Sequence, residues 1–236
     1  TGASILTDVE ALPQGLLFWR SFTHWIGGMG VLVFIMAIMP LTGIRSVHLM
    51  RAEVPGPTKS KLVPRMKDTA SLLYRIYIAM TLVEVVLLML GGMNLFDALV
   101  HSFGTAGTGG FSNKALSVGA YDSAYFDIVI GVFMMLFGIN FNLYYLILIG
   151  NIKTALKSEE LRWYLGFIGI STAVIAIDIS GLFNGAAQCL RYAFFQVSSV
   201  ITTTGYATTD FNTWPSLSRA ILVMLMVVGG CAGSTG

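Results

Sequence analysis

Charge is scarce in this 236-residue chain: only 11% of the residues are Asp, Glu, Lys or Arg, while 55% are hydrophobic. A soluble domain carries about 25% charged residues, so the composition excludes an ordinary soluble protein. The formal net charge is only +2, which does not indicate a nucleic-acid partner. The two cysteines, Cys189 and Cys231, lie in apolar surroundings and lack the spacing of a metal or redox site. We therefore expect an integral membrane protein.

Five apolar stretches are candidate spans, because a helix needs about 20 apolar residues to cross a bilayer. They cover residues 15–42, 71–93, 124–150, 163–183 and a shorter stretch, 217–228. Two further apolar segments, 95–103 and 186–201, are too short to cross and are typical of re-entrant pore helices. Ten of the 14 Lys and Arg residues lie in or beside two polar connectors, 43–70 and 151–162. The positive-inside rule places these connectors in the cytoplasm.

Three runs rich in Thr and Gly lie on the opposite, outer side: one opens the chain, and the others follow the two short apolar segments. Backbone carbonyls and Thr hydroxyls can replace the water around a monovalent cation, and Gly permits the positive φ that such a loop needs. Gly2, Gly109 and Gly205 are interpreted as equivalent filter glycines. The predicted filter residues are Thr1, Gly2, Gly107, Thr108, Gly109, Thr203, Thr204 and Gly205. The expected cation ligands among them are Thr1, Thr108, Gly109, Thr204 and Gly205.

The order of span, pore helix, Thr-Gly run and span repeats along the chain. Residues 71–150 form a complete second unit, 163–236 form a third unit, and 1–42 form the back half of a first unit. We expect an all-α membrane protein built from repeated units around one pore, with the chain truncated at both ends.

The fifth apolar stretch stops short of a full span and continues into small residues. Irregular backbone at membrane depth is stable only where it is buried in protein or faces water. This segment, called the intramembrane loop below, is predicted to act as a gate beneath the filter. Its residues are Gly229, Gly230, Cys231, Ala232, Gly233, Ser234, Thr235 and Gly236.

Five motifs together resemble the TrkH branch of the Trk/Ktr/HKT superfamily, and the similarity extends over essentially the whole chain. They are TGAS (1–4), HWIGGMG (24–30), FGTAGTGGFS (103–112), TTTGYA (202–207) and GGCAGSTG (229–236). The resemblance implies a multi-pass protein of the bacterial inner membrane that takes up potassium through a pore of four units. It further implies a homodimer and a cytosolic nucleotide-binding regulatory ring.

Two alternatives remain open at this point. A sodium-coupled or other secondary carrier also contains broken helices near the membrane midplane. An intramembrane hydrolase needs a Ser with a His partner or a pair of Asp residues, and only Asp178 is a candidate for the second arrangement. We therefore expect no enzyme and no cofactor. The role of Glu84, in the middle of a span, is open.

Overall fold

The structure, a computed structural model, describes residues 6, 8–28, 30, 66–183, 185–231 and 233–235, with the backbone alone over 66–70. Several predicted features lie outside these residues. They are Thr1, Gly2, Ala232, Gly236, the far part of the first span and most of the connector 43–70.

All regular structure in the described residues is helical, in agreement with the all-α prediction. In chain order the α-helices are α1 (Gln14–Gly28), α2 (Met66–Leu90), α3 (Leu95–Ala106), α4 (Ala124–Phe137), α5 (Phe141–Leu148), α6 (Ile152–Leu156), α7 (Glu159–Asp178), α8 (Ala186–Ile201) and α9 (Ser216–Val228). Short 3-10 helices lie at Ser117–Tyr121 and Phe211–Thr213.

Within the described residues, two helices are long and apolar enough to cross a membrane: the Ser71–Leu90 part of α2, and α7. The pair α4 and α5 makes a third crossing if it counts as one span. The two short segments form α3 and α8, as predicted. Helix α9 ends at Val228, and the φ of +71° at the next residue, Gly229, does not continue a helix.

The candidate span over residues 124–150 is not one straight helix, because α4 and α5 meet at an angle of 88°. Gly138 caps the C-terminus of α4. The Asn140 side chain accepts a hydrogen bond from the Asn142 N–H at 2.9 Å and caps the N-terminus of α5. Asparagine is a favoured N-cap because its side-chain oxygen satisfies a free backbone donor. In the sequence, the two capping residues Gly138 and Asn140 lie inside an otherwise apolar run.

The second and third units share a hydrophobic core. Phe195 in α8 and Tyr206 after it are fully buried and pack with residues of α2, α3 and α4, including Leu88, Ala98 and Ile130. Two parts of the chain that the sequence assigns to different units therefore fold against each other. This packing brings the ends of α3 and α8 close together.

Candidate functional site

The segments after α3 and α8 share three backbone hydrogen bonds at equivalent positions. We call residues 107–112, after α3, loop two, and residues 202–207, after α8, loop three. The first residue of each loop donates its N–H to a carbonyl one turn back: Gly107 to Phe103 at 3.0 Å, and Thr202 to Ser198 at 3.2 Å. The next pair also corresponds, since Thr108 donates to Thr105 and Thr203 donates to Val200.

The fourth residue of each loop completes the correspondence. Gly110 donates its N–H to the Gly104 carbonyl at 3.4 Å, and Gly205 donates to the Ser199 carbonyl at 3.2 Å. Both glycines have positive φ, +63° and +92° respectively. Gly110, and not Gly109, is therefore the equivalent of Gly205, and the predicted pairing is one residue out of register. Sequence spacing could not choose between two adjacent glycines.

Thr108 and Thr203 share a backbone conformation that is rare for threonine. Their φ values are +48° and +59°, in the left-handed region that a β-branched residue seldom occupies. Such strained residues concentrate at functional sites. The same strain at equivalent positions of two units supports a functional role for the two loops.

The two loops and α1 enclose an open cavity of about 560 Å³. Its lining combines predicted filter and gate residues with small and polar residues of α1. The lining residues are Thr23, His24, Gly27, Gly28, Gly107, Thr108, Thr203 and Thr235. The structure thus brings together Gly107, Thr108, Thr203 and Thr235, which lie far apart in the sequence.

Alternate residues of the loops are turned away from this cavity. Thr204 is only 3% exposed, and its hydroxyl lies 2.7 Å from that of Thr202. Gly109 is buried against the His24 ring, which a Cβ at that position would overlap. The hydroxyl of Thr204 is thus engaged within the protein, and its carbonyl is the group that it could offer to an ion.

A buried polar network is attached to loop two through Ser112. Asp97 accepts hydrogen bonds from Asn113 and from the Tyr121 hydroxyl. Burial, together with this bond to Asp97, raises the pKa of Tyr121. His101 Nδ1 lies 2.8 Å from the Asp97 carbonyl, and its Nε2 lies 2.9 Å from Ser112 Oγ. Since a carbonyl can only accept, the proton is on Nδ1 and Nε2 accepts from Ser112.

The intramembrane loop fills the break between α4 and α5. Cys231 donates its N–H to the Gly138 carbonyl at 3.0 Å, and Phe141 donates to the Gly233 carbonyl at 3.1 Å. These bonds satisfy backbone groups at membrane depth that the interrupted helices leave free. The sequence predicted that α9 would break here but gave no sign of where the loop would dock.

The same loop also contacts loop two. The Thr108 hydroxyl lies within hydrogen-bond distance of two carbonyls, that of Gly107 at 2.9 Å and that of Thr235 at 3.1 Å. The Thr235 hydroxyl in turn donates to the Phe137 carbonyl at 3.2 Å. Thr235 therefore lies between loop two and the end of α4.

Three residues near the loops were not identified as functional candidates from the sequence. His24 lines the cavity, Gly104 lies beneath loop two, and Tyr206 connects the units. Only Gly104 carries a usable signal, since glycine inside a helix usually has a packing reason. Glu84 is fully buried beside Thr105, in the packing behind loop two and away from the cavity lining.

The family described as "TrkH: Cation transport protein" matches residues 1–174 and 184–236 of this chain. The potassium uptake protein TrkH of Escherichia coli K12 is 37% identical over 240 residues, and that of Vibrio parahaemolyticus is 38% identical over 245 residues. The chain is matched over its full length and spans about 50% of each of these relatives. The TrkG protein of Escherichia coli is 36% identical.

A solved structure shows the same fold. The crystal structure of the potassium transporter TrkH from Vibrio parahaemolyticus superposes with a TM-score of 0.82 at 33% identity. The match covers 100% of this chain and 48% of that one. Together with the family match, these likenesses are to membrane transport proteins and not to hydrolases. The chain belongs to the TrkH family of cation transport proteins.

Proposed function

We propose that this chain forms the filter and gate region of a potassium-uptake protein in the bacterial inner membrane. The observation that carries the proposal is the matched backbone of loops two and three, which meet at one cavity on the same side of the molecule. Loops from four sides would surround a monovalent cation with oxygen ligands. The relatives are named as potassium uptake proteins and are about twice as long as this chain, so the further loops belong to the whole protein.

Within this proposal, the ligands are groups of Thr108, Gly109 and Gly110 in loop two and the equivalent Thr203, Thr204 and Gly205 in loop three, together with Thr1 and Gly2 from the first unit. Gly107, Gly109 and Gly110 shape loop two. Positive φ at Gly110 and Gly205 allows consecutive peptide groups to change direction, as a ring of carbonyl ligands requires. The Thr108 and Thr203 side chains add polar groups to the cavity.

The test is ion flux through the full-length protein in proteoliposomes. Wild type should conduct potassium in preference to sodium, and Gly205→Ser should lower that preference because a residue with a side chain is strained at the φ of +92° that this position has. Equal expression and monodispersity are the controls. An unchanged permeability ratio in Gly205→Ser would contradict the filter assignment, and potassium movement that strictly requires sodium would favour the carrier alternative.

We further propose that residues 229–236 form the gate. The loop is attached by single hydrogen bonds at Gly138, Phe141 and Thr108 and by two bonds from Thr235 to the Phe137 carbonyl, a set of contacts that two alternative arrangements could exchange at modest cost. Deletion of several of its residues should raise basal potassium flux while selectivity is retained, because the filter loops are separate. Flux at the wild-type level would leave the loop as a packing element.

Topology and partners complete the proposal. Cysteines placed at Lys157 and, beyond the described residues, at Lys59 should be protected from an impermeant thiol reagent in intact cells. A cysteine at Lys114 should react, since it follows loop two on the outer side. We also propose a homodimer and a cytosolic nucleotide-binding ring that meets connectors 43–70 and 151–162. Co-purification of such a ring with the full-length protein, and its loss when Lys153 and Lys157 are replaced by Glu, test this assignment.

A further inference from the structure

Tyr206, the residue after Gly205, places its side chain inside the neighbouring unit. It is fully buried, and its hydroxyl donates to the His101 carbonyl of α3 at 3.1 Å. The Tyr206 and His101 rings stack with centroids 5.7 Å apart. The main chain of Tyr206 stays with its own unit, because its carbonyl accepts from Ser199 Oγ at 2.6 Å. One residue thus connects loop three to two pore helices.

Gly104 provides the space for this hydroxyl. A Cβ on Gly104 would overlap the Tyr206 hydroxyl oxygen and would lie 3.1 Å from the ring carbon that carries it. The Gly104 carbonyl also accepts the N–H groups of Gly109 at 2.8 Å and Gly110 at 3.4 Å. The residue that holds the backbone of loop two is therefore the residue against which the tyrosine of loop three rests.

The loops are also in contact beyond this point. A Cβ on Gly110 would overlap the Thr204 carbonyl oxygen, so the two filter loops lie at backbone contact distance. On the outer side, the Gly119 N–H donates to the Ala207 carbonyl at 3.1 Å. Of these three connections, the Tyr206 contact alone uses a side chain that reaches the helix behind the partner loop.

We propose that Tyr206 is a positioning residue for ion selectivity, which fixes the spacing of loops two and three by seating its hydroxyl between Gly104 and His101. This inference rests on the proposed potassium filter. Ligand groups must be held within about 0.5 Å of their working positions, and a filter made of separate loops can meet that requirement only if the loops are fastened to each other. The Tyr206 side chain holds the two loops at a fixed spacing without contributing an ion ligand.

The first test is Tyr206→Phe in the full-length protein, which removes the hydroxyl and keeps the ring stack. We expect potassium flux to persist and the potassium-to-sodium permeability ratio to fall by about three- to tenfold, the range that corresponds to the loss of one hydrogen bond. Tyr192→Phe is the matched control, because Tyr192 is a buried tyrosine of α8 whose hydroxyl is hydrogen-bonded by Gln188 and Arg191, away from the loops. Its permeability ratio should stay at the wild-type value.

The second test is a pair of substitutions that should compensate each other. Gly104→Ala alone should disturb selectivity more than Tyr206→Phe, because the new methyl group displaces the hydroxyl. In the double variant the oxygen is gone and the remaining 3.1 Å contact needs a shift of only a few tenths of an ångström. We therefore expect Tyr206→Phe to restore part of the selectivity that Gly104→Ala removes.

The outcomes separate this inference from the proposed function. Wild type without potassium flux overturns both. Selective wild-type flux with an unchanged ratio in Tyr206→Phe overturns the inference alone, as does a double variant no more selective than Gly104→Ala. If Gly104→Ala does not fold, the comparison of Tyr206→Phe with Tyr192→Phe at equal thermal stability decides, because a merely structural role would shift stability and leave the ratio unchanged.

Discussion

Loops two and three have the same backbone but are built from different residues. Loop two relies on glycines: Gly107 and Gly109 pack directly against the backbone and ring of His24, where no side chain would fit. Loop three relies on hydroxyls: the Thr202 side chain donates to the Ser198 carbonyl at 2.7 Å and pairs with the Thr204 hydroxyl. The comparison teaches that the repeat preserves hydrogen-bond register and φ, and not residue identity.

The same glycine position is also crowded in one loop and open in the other. At Gly110 a Cβ would overlap the backbone of Thr204, whereas at Gly205 it would meet nothing within 4 Å. Both positions have positive φ. The two sites therefore share the conformational requirement but differ in steric requirement, so substitutions can separate these two contributions.

The largest expected effect is that of Gly110→Ala, which should abolish selective potassium flux in the full-length protein. It combines the cost of a left-handed residue, about 1–2 kcal/mol, with an overlap against loop three. Gly205→Ala carries the conformational cost alone and should keep reduced flux. Gly166→Ala in α7, where a Cβ meets nothing within 4 Å, is the control for flux and expression. Equal flux in the Gly110 and Gly205 variants would show that the steric difference is irrelevant.

A second comparison concerns Thr108 and Thr203, which share φ and line the same cavity. The Thr108 hydroxyl reaches the Thr235 carbonyl of the intramembrane loop at 3.1 Å, and no hydrogen bond of the Thr203 hydroxyl to that loop is present in the described residues. Thr108→Val, which keeps the shape and the β-branch, should raise basal flux by about two- to tenfold, the effect of one hydrogen bond. Thr203→Val should not raise it.

Measurement of basal efflux from loaded proteoliposomes checks this prediction. A rise in both variants would assign the effect to the loss of a polar group in the cavity. A rise in neither would show that the link between loop two and the intramembrane loop does not control opening.

Helices α3 and α8 are also anchored by different chemistry. The buried Asp127 carboxylate in α4 lies 3.3 Å from Arg191 Nε of α8, while the Asp97 carboxylate of α3 binds two neutral donors. Removal of one partner of a buried ion pair leaves an uncompensated charge and costs about 3–5 kcal/mol. Since Arg191 is 17% exposed, Asp127→Asn should fall at the low end of that range.

Asp97→Asn should cost less, because the Asn oxygen can still accept one of the two bonds and the loss of one bond to a carboxylate costs about 1.5–3 kcal/mol. The melting temperature of the purified protein should therefore be lowest for Asp127→Asn, intermediate for Asp97→Asn and highest for wild type. The reverse order between the two variants would mean that the Arg191 pair contributes little. The same measurement on Arg191→Gln should reproduce the loss seen with Asp127→Asn.

The sequence predicted the helices better than it predicted their meeting points. Apolar length and flanking polarity were sufficient for α3, α8 and the early end of α9, because these depend on local pattern. Gly110 was missed because register depends on which carbonyl accepts its N–H, and two neighbouring glycines are equivalent in sequence. The bend at Gly138 was missed because the loop that bonds to it through Cys231 comes from a segment far along the chain.

The smallest expected effect is on the pH dependence of stability, and it involves a residue that differs between α3 and α8. The position of His101 in α3 corresponds in register to Gln196 in α8, which does not titrate. Burial lowers the pKa of His101, with the Asp97 backbone and carboxylate opposing that shift and Lys114 adding to it. The unfolded chain, with an ordinary pKa of about 6.5, therefore takes up a proton more readily than the folded protein does.

Stability should consequently fall as the pH drops below about 6.5 and should be constant with respect to this group above it. We expect His101→Gln, which gives α3 the residue found in α8, to flatten this part of the profile of melting temperature against pH. Gln196 is also buried, so Gln196→His should place a second imidazole in a position where burial disfavours its charged form, and it should steepen the same acid-side slope. An acid-side slope that survives in His101→Gln would assign the pH dependence to the carboxylates, and the two units would then differ only in their hydrogen-bonding partners.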